Sequence, residues 1–258
     1  MNELLKVSSL FARYGRRIAL REISFTLSGG EICAVLGENG SGKTTLLRAI
    51  GMRIPSAGSV LLDGRDLREM SDRERAREIG CLFSNSGTKL PLNCLEAVLM
   101  GDYPLTGALR PVTEERRENA VAMLSLLGVE EFANRDFLTL SSGERQQVLL
   151  ARTLLRPTRL MLLDEPEDAL DFRRRQWMLS ILRDRTRETG CGVLLSMHDV
   201  NAALRCADRI LTLKNGMLTA NLFLAETGEA ELRRALREIY GEIGLFRRNG
   251  AWLMTEGG

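Results

Sequence analysis

The eight residues Gly37-Glu38-Asn39-Gly40-Ser41-Gly42-Lys43-Thr44 constrain this chain more than any other stretch. They follow a short apolar run, 32–36, and lead into 44–50, where the apolar residues fall at helical spacing. The stretch matches GxxxxGK[ST], and the flanking strand and helix start are the setting that pattern requires. Its glycines let backbone N–H groups turn inward around phosphate oxygens without a colliding Cβ. The helix that begins there adds its positive end. Lys43 is placed to reach the β- and γ-phosphates, and the Thr44 hydroxyl to hold Mg²⁺.

Around this unit, residues 4–10 and 18–27 read as strands joined by a turn at Tyr14-Gly15-Arg16-Arg17, and 59–62 and 79–83 as two more. Residues 72–78 form a charged, solvated helix. From 92 to 157 the character becomes helical. Thr113 starts one helix, whose Ala120, Met123, Leu124 and Leu127 share a face and which Gly128 stops; a second begins near Gly143 and ends before Pro157. Strand-like runs return at 160–163, 193–196 and 210–213, Lys214-Asn215-Gly216 signals a hairpin, and 229–239 is a last amphipathic helix. Strands alternating with helices predict an α/β core with a mostly parallel sheet, interrupted by a helical insertion.

Composition removes other classes. With 36 basic and 34 acidic residues the net charge is +2, so nothing calls for nucleic acid as a partner, and the run Arg173-Arg174-Arg175 reads as a solvated helix face. No stretch approaches the roughly 20 apolar residues of a spanning helix, and the N-terminus has no apolar signal core. The five cysteines form no CxxC pair, which fits reduced thiols in a cytosolic protein.

Three further motifs carry chemistry. Leu160-Met161-Leu162-Leu163-Asp164-Glu165-Pro166 is a buried strand with two acids at its carboxyl end, the edge where open α/β sheets bind ligands. Asp164 is placed to complete a Mg²⁺ shell opposite Thr44, and Glu165 to orient and deprotonate a water. His198, the one histidine, follows the strand 193–196 and falls at the same edge, where its imidazole can hydrogen-bond a γ-phosphate oxygen. Leu140-Ser141-Ser142-Gly143-Glu144 reads as a capped helix start, itself an anion site.

In order and spacing these four motifs resemble the nucleotide-binding subunit of ABC transporters, over nearly the whole chain. The resemblance implies a P-loop NTPase (RecA-like) core with a mostly parallel sheet, an N-terminal antiparallel β subdomain and an inserted α-helical subdomain. Its divisions would be 1–91 and 158–220 for the core with the β subdomain, 92–157 for the helical part, and 221–258 for a C-terminal extension. It implies ATP and Mg²⁺ as cofactors. Gly37, Asn39, Gly40, Ser41, Gly42, Lys43, Thr44 and Thr45 would bind nucleotide, together with Ser84 at the Q-loop position, with Thr44 and Asp164 on the metal and Glu165, His198 and Lys43 catalytic. Tyr14 would stack on adenine, and Asp171 would end the D-loop. Ser141, Ser142 and Gly143 would reach the ATP of a second copy in a head-to-tail dimer. Two separate membrane permease subunits and, indirectly, a substrate-binding protein complete the expected assembly at the inner face of the membrane. Val98-Leu99-Met100-Gly101-Asp102-Tyr103-Pro104 and Leu236-Arg237-Glu238-Ile239-Tyr240-Gly241 resemble segments of the importers of iron chelates, haem and cobalamin.

The chain departs from the family pattern at three places. Ser142 replaces a signature glycine, Glu144 a glutamine, and Ser84, followed by Asn85, the Q-loop glutamine. Two other classes are compatible with the motifs: a soluble ABC-type ATPase that remodels cytosolic complexes, and a P-loop kinase.

Overall fold

The computed structural model describes residues 2–83, 91–107, 111–168, 170–248 and 250–256. The chain opens with a hairpin, β1 (Glu3–Tyr14) against β2 (Arg17–Ser28). β3 (Ile32–Leu36) is buried at every residue and feeds the glycine loop, after which α1 (Lys43–Ile50) begins. β4 (Ser56–Leu62) pairs on the other side of β1 and β5 (Arg65–Asp66) extends it, giving an antiparallel sheet of order β2-β1-β4-β5. α2 (Asp72–Glu78) buries none of its residues, as its charged sequence demands, and β6 (Ile79–Leu82) follows.

The stretch expected to be helical contains α3 (Cys94–Leu99), α4 (Tyr103–Thr106), α5 (Glu114–Leu126) and α6 (Ser142–Leu154). Thr113 caps α5, and Gly128 takes the left-handed backbone (φ 68°) just past its end. Strands then alternate with helices: β7 (Leu160–Asp164), α7 (Phe172–Thr189), β8 (Gly192–Ser196), α8 (Val200–Cys206), β9 (Arg209–Lys214) and β10 (Met217–Phe223). α9 (Glu229–Tyr240) and a hairpin of β11 (Ile243–Arg248) with β12 (Ala251–Glu256) complete the chain. The hairpin was not among the expected elements.

The second sheet has the order β10-β9-β3-β8-β7-β6. Its strands run parallel from β9 to β6, and β10 turns back antiparallel to β9. Side chains alternate between its faces. Cys33, Val35, Leu160, Leu162 and Leu194 pack with α1 and the antiparallel sheet, whereas Ala34, Leu36, Met161, Leu163 and Leu195 pack with the helices opposite. Coverage on both faces is why these strands read as unbroken apolar runs. The consequence for function is positional. β3, β8 and β7 are neighbours, so the residues that leave their carboxyl ends share one edge, with Ser196 in register beside both Val35 and Asp164.

Candidate functional site

Gly40 (φ 79°) and Gly42 (φ 112°) hold left-handed backbone in the loop, and a Cβ on Gly42 would come within 3.0 Å of the Ala19 carbonyl oxygen. Gly42 precedes α1 and offers no side-chain cap. The first bond inside that helix runs from Leu46 N to Gly42 O (2.8 Å), so the N–H groups of Lys43, Thr44 and Thr45 are available to a ligand. Ser41 Oγ is buried without a hydrogen-bond partner among the described residues. Free donors at a helix N-terminus are what a phosphate group needs.

Lys43 is buried, and its Nζ donates to Gly37 O (2.8 Å) and Glu38 O (3.2 Å). Burial holds its pKa below the usual lysine value, against the pull of Glu165 and Asp164. Thr44 Oγ1 donates to Asp164 Oδ1 at 2.9 Å, and Asp164 is wholly buried. The hydroxyl of Ser196 donates to the same Oδ1 (2.9 Å) and accepts the Glu165 N–H (3.0 Å). One serine thus orients both acids. It was not among the expected site residues, although a hydroxyl closing the apolar run one strand from Asp164 is a readable signal.

Glu165 has a left-handed backbone (φ 50°), uncommon for a side chain with a Cβ. Its Oε1 lies 2.7 Å from His198 Nε2. Burial raises the Glu165 pKa; His198 opposes the rise, while Asp168 and Asp164 add to it. A carboxylate held for proton acceptance and paired with an imidazole is suited to taking a proton from water. The Glu165 carbonyl accepts from Gln146 Nε2 (2.7 Å), so a residue of α6 in the helical region reaches the acid's backbone. That contact too was absent from the sequence expectations.

These groups border a cleft of about 820 Å³. Of the expected residues, Tyr14, Asn39, Gly40, Gly42, Lys43, Thr44, Thr45 and Glu165 line it, and the exposed Ile18 and Met217 join Tyr14 in an apolar surface of the sort a planar base stacks on. Gly37, Asp164 and His198 do not line it but contact Lys43, Thr44 and Glu165, which do, and Ser41 borders a smaller cavity of about 200 Å³. The donor set on the metal side, hydroxyl and carboxylate oxygen, fits Mg²⁺.

The signature residues lie elsewhere. Ser141, Ser142 and Gly143 do not line the cleft of their own chain. Ser141 Oγ accepts from Glu144 N (3.3 Å) while Glu144 Oε2 accepts from Ser141 N (2.7 Å), a complete capping box at the start of α6. Asp171 caps α7 by accepting from Arg174 N (2.8 Å). Within the arginine run, Arg175 pairs with Asp199 (2.7 Å) and Arg174 donates to Gln147 Oε1 (3.3 Å). Ser84 and Asn85 lie outside the described residues.

The family model described as ABC transporter matches residues 20–168, more than half of the chain. The chain belongs to the ABC transporter family. As a member it is an ATPase, working on ATP with Mg²⁺. It is 36% identical over 224 residues to the phosphonates import ATP-binding protein PhnC of Treponema denticola, covering 84% of this chain and 87% of that one. To the ferric enterobactin transport ATP-binding protein FepC of Escherichia coli K12 it is 32% identical over 238 residues, covering 92% and 87%. The solved dimeric structure of MJ0796, a bacterial ABC transporter cassette, superposes with a TM-score of 0.76 at 30% identity, covering 86% of this chain and 99% of that one. No helix among the described residues is long and apolar enough to cross a membrane.

Proposed function

We propose that this chain powers an importer by hydrolysing ATP in a head-to-tail pair, at the inner face of the membrane. Two separate permease subunits and a substrate-binding protein would complete the machine. The observation that carries the reading is the convergence of Lys43, Thr44, Asp164, Glu165 and His198 on one sheet edge, two of them already paired at 2.7 Å. Lys43 and the first-turn N–H groups hold the phosphates. Thr44 and Asp164 hold Mg²⁺, which when bound offsets charge on the phosphate oxygens. Glu165 accepts the proton of the attacking water, and His198 steadies Glu165 and meets the γ-phosphate.

Ser141 and Gly143 sit on a capped helix start away from their own cleft. That placement supports a role on the nucleotide of a second copy, and the dimeric cassette superposes on this fold. Import is favoured by the names of the relatives. Iron-siderophore, haem or cobalamin as the class of cargo rests on FepC and on the segments 98–104 and 236–241; PhnC is similar to a like degree and points to a different cargo.

The test is Glu165→Gln. It should bind ATP, form an ATP-dependent dimer, and turn over about 10²–10⁴-fold more slowly, as for loss of a general base. Wild-type turnover would overturn the site. Co-purification with membrane-spanning subunits from detergent supports transport; a chain that never associates with them is instead the soluble remodeller.

A further inference from the structure

Glu167 is a carboxylic acid that the site above does not use. It is 1% exposed, two residues after Glu165. Its Oε1 accepts the backbone N–H of His198 at 3.0 Å. Its Oε2 is buried, and no hydrogen-bond donor meets it among the described residues. The nearby cation, Arg175 of α7, is already paired with Asp199 at 2.7 Å, and the adjacent Asp168 repels a second negative charge. A buried acid with half its hydrogen-bonding capacity unmet costs stability, so its presence calls for another explanation.

The geometry offers one. His198 is held at two points by acids on either side of Pro166. Glu165 meets the imidazole at 2.7 Å, and Glu167 meets the backbone N–H of the same residue. Pro166 fixes one backbone torsion between the two acids. We propose that Glu167 is a positioning residue for ATP hydrolysis, clamping the His198 backbone so that the imidazole stays aligned with Glu165. The proposal rests on the roles given above to Glu165 and His198. Burial pushes the Glu167 carboxyl up to about 7, against the backbone N–H groups of Glu167 itself and of His198; with any proton on Oε2, its Oε1 remains an acceptor in either protonation state.

The experiment compares two substitutions that keep the side chain's volume. Glu167→Gln retains an oxygen that can accept the His198 N–H; Glu167→Met retains bulk and loses the acceptor. Steady-state hydrolysis of Mg·ATP should give a kcat within about threefold of wild type for Gln and at least about tenfold lower for Met, with KM for ATP within about twofold in both. In a His198→Ala background, the Met substitution should cost less than about twofold more, because the residue it positions is gone. A Met variant with wild-type kcat, Gln and Met variants equally slow, or a full independent loss in the His198→Ala background each overturns the clamp. Glu165→Gln separates the layers: if it hydrolyses ATP at the wild-type rate, the parent assignment of Glu165 fails, whatever the Glu167 pair shows.

Discussion

Three acids lie close together along the chain near Lys43, and each is held differently. Asp164 accepts hydrogen bonds from the hydroxyls of Thr44 and Ser196, Glu165 meets an imidazole, and Glu167 meets a backbone N–H. Ser196 touches two of these arrangements at once, so Ser196→Ala should loosen both acids. The Mg²⁺ concentration needed for half-maximal ATPase should rise roughly tenfold or more, the usual cost of removing a partner that orients a metal ligand. An unchanged Mg²⁺ titration would mean that Asp164 is fixed without Ser196. Glu167 makes a separate prediction about stability. Its carboxyl keeps a proton up to about 7 in the native state, whereas the unfolded chain releases it near 4.5. Between those values the native state binds more protons, so its stability falls as pH rises through the window, is fully present below it, and levels off above. The span sets an upper limit of about 3 kcal/mol. Urea unfolding at pH 8 should therefore find Glu167→Gln more stable than wild type by up to about 3 kcal/mol, shrinking to roughly 1 kcal/mol at pH 5. A pH-independent difference would contradict a buried titrating acid.

At the scale of elements, what could be read in the sequence was what local sterics and periodicity dictate. A loop that needs left-handed backbone at Gly40 and Gly42 can be recognised from glycine spacing alone. Asp164 and His198 fell at one edge because buried parallel strands announce themselves as apolar runs with defined carboxyl ends. Contacts between distant elements left no such trace. Gln146 reaches the Glu165 carbonyl only because the fold brings α6 to the residue that follows β7, and Ser196 meets Asp164 only because β8 neighbours β7. The β11–β12 hairpin was missed despite alternating buried residues at Ile243 and Leu245, and despite the Asn249-Gly250 turn signal in its sequence. Two elements with the same start signal provide a controlled test of function. α2 and α6 both begin with a complete capping box, Ser71 with Glu74 and Ser141 with Glu144. Ser71→Ala and Ser141→Ala should each cost about 1 kcal/mol in urea unfolding. On the proposed pairing only Ser141→Ala should also cut ATPase, because the start of α6 would then meet a second copy's nucleotide. Equal ATPase losses would show that the effect comes from helix stability.

The whole molecule has two cores on either side of one sheet, and the residues that start its signature helix, Ser141, Ser142 and Gly143, do not line the cleft of their own chain. In the proposed head-to-tail pairing two copies would exchange these parts, and a pair of identical chains would form two equivalent sites. This arrangement can be tested without a structure of the pair. Lys43→Ala removes the cation from a chain's own loop, and Ser141→Ala damages the helix that, on this proposal, it lends to its partner. Alone, each variant forms only defective sites. In a mixed pair, one site combines both lesions, while the other combines the intact Lys43 of one chain with the intact Ser141 of its partner. Random mixing makes half of the pairs mixed, each with one good site of two, so an equimolar mixture should recover about a quarter of wild-type turnover. If each chain instead completed its own site, mixing would recover nothing, and the displaced signature helix would need another purpose.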